Sequence, residues 1–170
     1  MRFSVIPWLG LALLGLTGCA GYQLGPVNGA EAGGRSVEVF PFDNQTLQPR
    51  LGDAVTQSLR ERLQADGTFH LCTHGRGDVV VTGKITRFHR DGLSASATDV
   101  TTTVNYREGV VAHVVARDSS SGKVVLDKDI SGYTLLNVGS DMSSAERQAQ
   151  PLLADDLARN ITIALTEGNW

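Results

Sequence analysis

Residues 101–117 read TTTVNYREGVVAHVVAR, and this stretch decides the fold. Val104, Tyr106, Val110, Ala112 and Val114 fall on one side of an extended chain, the signature of a half-buried strand. The runs on either side repeat the pattern. Residues 78–90 carry Val79, Val81 and Ile85 on one face, and residues 124–136 form a third run with Val125 and Leu126 near its start. Ser119-Ser120-Ser121-Gly122 between the last two reads as a hairpin turn, and residues 90–99 as a polar connection of small residues. Three consecutive strands of this kind predict an antiparallel meander.

Upstream the period changes. Residues 36–42 (SVEVFPF) are enriched in β-branched and aromatic residues and predict a strand, with Pro41 at its end because proline cannot donate to a ladder. Asp43-Asn44-Gln45-Thr46 is a turn cluster, and Pro49 suits the first turn of a helix. Leu51, Val55, Leu59 and Leu63 recur at every fourth position with polar residues between them, predicting an amphipathic helix that ends near Asp66-Gly67. Residues 69–72 read as a short strand. Downstream, Leu153, Leu157, Ile161 and Leu165 predict a second amphipathic helix. Ser143-Ser144-Ala145-Glu146 fits a capping box at its start, and Pro151 kinks this helix or starts another. Two one-sided helices and a sheet with one apolar face satisfy each other as a two-layer α+β sandwich. The expected sheet is mixed, largely antiparallel and about four strands wide, with both helices on one of its faces.

The first 18 residues stand apart. Arg2, an apolar run over residues 5–16 and Leu16-Thr17-Gly18-Cys19 form a basic tip, an apolar core and a small-residue cleavage site. The ending in cysteine resembles a lipobox, which implies that Cys19 is acylated, becomes the new N-terminus and holds the protein on a membrane. The expected organisation is a signal peptide over residues 1–18, a lipidated tether over 19–35 and one domain over 36–170. Losing Arg2 with the leader takes the net charge from −3 to −4. That balance argues against a nucleic acid partner, which needs a basic footprint. With Cys19 carrying lipid, Cys72 is the only thiol left and is expected to be a small buried core residue.

Chemistry-bearing constellations are sparse. His70, Cys72 and His74 share a strand face, which could bring two imidazoles and a thiolate to zinc, but no fourth ligand lies at a telling spacing. Asp127 with Asp129, and Asp155 with Asp156, are interleaved with Lys123, Lys128 and Arg159 as on a solvated surface. No catalytic site, metal or cofactor is expected. Lys84, Arg87, His89 and Arg90 lie late in one predicted strand and Arg107 in the next. Strict alternation puts Lys84 and Arg87 on opposite faces and Arg87 with His89 on one. If Arg87, Arg90 and Arg107 approach one another they could meet phosphate groups, which the guanidinium fork suits.

With these pieces placed, the chain resembles the lipopolysaccharide-assembly lipoproteins, the LptE family. The residues that carry the resemblance are Gly18-Cys19-Ala20-Gly21-Tyr22-Gln23-Leu24, a lipobox running into a Gly-Tyr-x-Leu segment, together with the order of elements. The resemblance implies a non-enzymatic protein on the periplasmic side of the outer membrane. Its implied roles are to plug the β-barrel LptD, to assist assembly of that barrel and to help lipopolysaccharide reach the cell surface. Basic surface residues would meet the lipopolysaccharide, and Lys84, Arg87, Arg90 and Arg107 are the candidates. Residues 37–45 also resemble the opening of periplasmic lipoproteins that activate peptidoglycan synthases or form secretion channels, which also end a strand in Pro-Phe-x-Asn before a helix.

Overall fold

The computed structural model describes residues 33–95, 103–138 and 141–167; Cys19 and the leader lie outside them. The elements run β1 (Arg35–Val39), β2 (Asp43–Asn44), α1 (Leu51–Asp66), β3 (Phe69–Leu71), β4 (Val79–Ala95), β5 (Thr103–Asp118), β6 (Val124–Asn137) and α2 (Met142–Thr166). The sheet order is β3-β1-β4-β5-β6, and β2 pairs with β4 beyond the end of β1. β1 is parallel to both β3 and β4, while β4, β5 and β6 form the expected antiparallel meander. The sheet is therefore mixed and both helices pack on one face. It has six strands among the described residues where about four were expected: β3 is the short strand read at residues 69–72, and β2, two residues long, lies within the turn cluster at residues 43–46.

The apolar periods become the core. Leu51, Val55, Leu59 and Leu63 of α1 and Leu153, Leu157, Ile161 and Leu165 of α2 meet Val37, Val79, Val81, Ile85, Val110, Ala112 and Val114 of the sheet, all essentially without solvent exposure. The side chain of Val104 lies outside the described set. Gly132 lets α2 close on β6: a Cβ there would sit 2.6 Å from the Leu157 amide nitrogen. The Phe42 amide donates to Thr56 Oγ1 (2.9 Å), and Arg60 donates to the Val39 carbonyl (2.7 Å), so α1 is also tied to the end of β1 by polar contacts.

The ends of the elements depart from the sequence reading. α1 begins at Leu51 behind Arg50 in a left-handed conformation (φ 59°), so Pro49 stands outside the helix; Gly67 supplies the expected left-handed cap. Asp141 caps α2, accepting from the Ser143 and Ser144 amides. The Ser143–Glu146 capping box does not form, and Glu146 points to another partner. α2 runs unbroken through Pro151, so the proline does not split it. β4 continues to Ala95, well into what reads as a polar connection. The turn at Ser119-Ser120-Ser121-Gly122 is present, organised by the Asp118 carboxylate, which accepts from the amides and hydroxyls of Ser120 and Ser121.

Four carboxylates are held below their ordinary range: Asp78 chiefly by the Ser36 amide, Asp118 by the Ser120 hydroxyl, Asp141 by the Ser144 hydroxyl and Asp155 by the Arg62 guanidinium. A carboxylate whose pKa falls on folding stabilises the fold at pH above its unfolded value and loses that contribution as pH falls through the folded value. Thermal stability is expected to be flat near neutrality and to decline below about pH 4. Melting curves from pH 7 to pH 2 check this, and Asp155→Asn should lessen the decline.

Candidate functional site

The face of the sheet away from the helices carries Lys84, Arg87 and Arg107, all exposed. Its cross-strand rungs through β4, β5 and β6 follow from the register: Lys84–His113–Asp129, Arg87–Val111–Ser131, His89–Gly109–Tyr133 and Asp91–Arg107–Leu135. A bulge between Ile85 and Arg87 sets this pattern. The extra residue, Thr86, reverses the parity of β4 from Arg87 to Gly92. Lys84, Arg87 and His89 consequently share the open face, where strict alternation separates Lys84 from Arg87.

The same bulge turns Arg90 inward, so the structure does not bring Arg90 to Arg87 and Arg107. Arg90 lies opposite Glu108, whose side chain is only 3% exposed, and donates to Glu108 (Nε 3.0 Å, Nη2 2.6 Å) and to Glu146 at the start of α2 (2.6 Å). Burial works against the charge of Arg90, but the hydrogen bonds to Glu108 and Glu146 outweigh it and raise its pKa. Arg90 thus locks the N-terminal end of α2 to the sheet. The sequence contained a signal for this: Glu108 shares strand parity with Val110 and Ala112 and has to be buried with them.

Arg107 is exposed with its guanidinium 5.4 Å from the Tyr133 ring centroid, and its β4 neighbour in register is Asp91. Arg87 and Arg107 stand two rungs apart, about 14 Å along the strands. The site is a strip and not a cluster. Lys84 and Arg87 make no ion pair among the described residues. At one end of the strip His113 sits between Asp129 (2.9 Å) and Asp127 (3.3 Å). Toward the other end Tyr133 and Leu135 are well exposed beside Arg107, giving the strip both cationic and apolar surface.

The remaining constellations resolve into structural roles. Cys72 is half-buried at the end of β3, not in the core, with its thiol donating to the His74 carbonyl (3.1 Å). His70 and His74 are exposed. Among the described residues no three His, Cys, Asp or Glu side chains gather where a metal ion could sit. Asp155 receives both forks of Arg62 (2.7 and 2.5 Å) and joins the two helices. Its pKa is lowered, the reverse of what a catalytic acid needs. Asp156 accepts from the Tyr133 amide and from Arg159. Among the described residues no helix is long and apolar enough to cross a membrane.

Comparisons with known proteins agree with this architecture. The family model described as LptE, Lipopolysaccharide-assembly, matches residues 34–165. A search of curated proteins finds no match. Among solved structures, the fold is similar to hypothetical protein CT253 of Chlamydia trachomatis (TM-score 0.57, 12% identity, covering 77% of this chain and 95% of that one). It is also similar to protein XCC0632 of Xanthomonas campestris, of the DUF330 family (TM-score 0.56, 12% identity, covering 85% and 90%). A lipoprotein from Caulobacter crescentus matches with a TM-score of 0.51 at 12% identity, covering 74% and 88%.

Proposed function

The chain belongs to the LptE lipopolysaccharide-assembly family, and on that premise we propose that it is an outer-membrane lipoprotein that plugs the LptD barrel and takes part in lipopolysaccharide transport to the cell surface. The observation that carries the lipopolysaccharide part of this reading is the strip on the open sheet face. Lys84, Arg87 and Arg107 offer cations to phosphate, and Tyr133 and Leu135 offer apolar surface beside them. Arg90 contributes by fixing the strand that presents Arg87 and not by meeting the ligand. The role is one of binding and assembly, without a catalytic step.

Purification of the lipidated protein from detergent-solubilised membrane tests the partner. A large outer-membrane barrel is the expected companion. A peptidoglycan synthase, or a ring of identical copies, would instead favour the second resemblance of residues 37–45.

Anchoring is assigned to Cys19. One acyl chain gives only marginal, reversible attachment, so stable anchoring requires a multiply acylated residue. Cys19→Ala is expected to move the protein from the membrane fraction to the soluble fraction. Full retention of the variant on membranes after a high-salt wash would contradict the assignment.

A further inference from the structure

We propose that one half of the β6 edge receives an extended segment of a partner chain in which basic and apolar residues alternate. The inference is independent of the lipopolysaccharide reading and rests on the edge itself. Among the described residues β6 ends the sheet, and its pairing with β5 leaves every second residue with its main-chain N–H and C=O directed outward. The outward set is fixed by two contacts from α2: the Tyr133 amide donates to Asp156 Oδ2 (2.9 Å), and Asn160 Nδ2 donates to the Ser131 carbonyl (2.8 Å). By the same period, Asp127 and Asp129 also direct their main-chain groups outward.

The helix closes the middle of the edge with these two side-chain contacts, and its last turns run on beside the next part of the edge. Beside Asp127 and Asp129 it leaves a groove of about 580 Å³ between β6 and the last turns of α2. Val125, Ile163 and Ala164 supply apolar lining, and Ile163 is 45% exposed. Lys128 and Glu167 also line it. A long unpaired edge is a liability that folded proteins cover or blunt. Here one half is covered and the other opens onto a groove.

The chemistry of the two faces defines the occupant. A strand added to this edge would direct alternate side chains to opposite sides of the sheet. Those on the helix side meet Val125, Ile163 and Ala164, which favours apolar residues. Those on the open side lie beside Asp127 and Asp129, whose side chains are 58% and 70% exposed, which favours lysine or arginine. A second copy is a poor occupant. Antiparallel registers centred on residues 127–129 set Asp127 or Asp129 opposite an aspartate of the other copy, and like charges directly opposite destabilise a pair.

The test uses the lipidated chain in detergent micelles and three synthetic peptides: Lys-Val-Lys-Val-Lys-Val, its Glu-Val counterpart, and the Lys-Val peptide N-methylated at alternate residues to remove its backbone donors. Binding is followed by site-resolved amide exchange. The Lys-Val peptide is expected to slow exchange at Asp127 and Asp129 by about tenfold or more, while amides elsewhere on the surface keep their rates. The Glu-Val and N-methylated peptides should give no such protection, and Asp127→Lys with Asp129→Lys should transfer the preference to the Glu-Val peptide. Absence of protection at these two amides overturns the proposal, as does equal binding of the N-methylated peptide. Protection that appears without peptide and grows with protein concentration also overturns it, in favour of a second copy.

Discussion

Truncating Leu59 of α1 or Ile161 of α2 to alanine is expected to cost about 2–5 kcal/mol of stability each. Both side chains are fully buried between the helices and the sheet, so each truncation removes apolar contacts and leaves a cavity the neighbours fill only in part. Gln57 lies on the same helix as Leu59 but faces solvent, where its side chain bonds to Glu61. Gln57→Ala is expected to cost under about 0.5 kcal/mol. Denaturant titrations of the three variants measure the differences. Equal losses at Leu59 and Gln57 would mean that the buried face of α1 has been misassigned.

The second large effect is expected at the inward ion pair. Arg90→Leu removes the cation that faces Glu108, and Glu108 is almost wholly buried. Breaking a buried pair by deleting one partner costs about 3–5 kcal/mol, because the remaining charge loses water and partner together. The double variant Arg90→Leu with Glu108→Leu removes both charges and is expected to recover most of that loss, since apolar replacement of a whole buried pair is often close to neutral. The recovery separates the two possible roles of Arg90. A residue serving only as an exposed ligand contact would give a small loss in the single variant and no recovery in the double. The single variant should also loosen the first turns of α2, where Glu146 receives the same guanidinium.

The elements that the sequence displayed are those whose burial imposes a period. Leu51, Val55, Leu59 and Leu63 repeat at four because one side of α1 faces the sheet, and Val110, Ala112 and Val114 repeat at two because one side of β5 faces the helices. β2, at two residues, is too short to carry a period and is legible only as a turn cluster, while β3, at three, is legible as the short strand read at residues 69–72. The α2 cap was misplaced because Asp141, Ser143 and Ser144 are all competent caps within one turn and only the backbone conformation selects among them.

The candidate site was half legible for a related reason. Residue type and position along the chain picked out Lys84, Arg87, Arg90 and Arg107, but the facing of Arg87 and Arg90 depends on a bulge at Thr86. Threonine is an ordinary strand residue, so nothing in the local sequence marks the inserted position. One extra residue exchanged the faces of Arg87 and Arg90 and converted a supposed cluster of arginines into an open strip and a buried lock. Glu108 was the available clue, since a carboxylate at core parity demands a cationic partner.

The open sheet face is proposed to meet lipopolysaccharide through Lys84, Arg87 and Arg107. Binding of purified parent and of the Lys84→Glu, Arg87→Glu, Arg107→Glu variant to lipopolysaccharide, across a series of salt concentrations, tests it most directly. The variant should fold as the parent does, because exposed charges contribute little to stability. It should bind more weakly, and its remaining binding should respond less to salt, because screening acts on charge contacts. Unchanged affinity and an unchanged salt response in the folded variant would remove the open face as the lipopolysaccharide site.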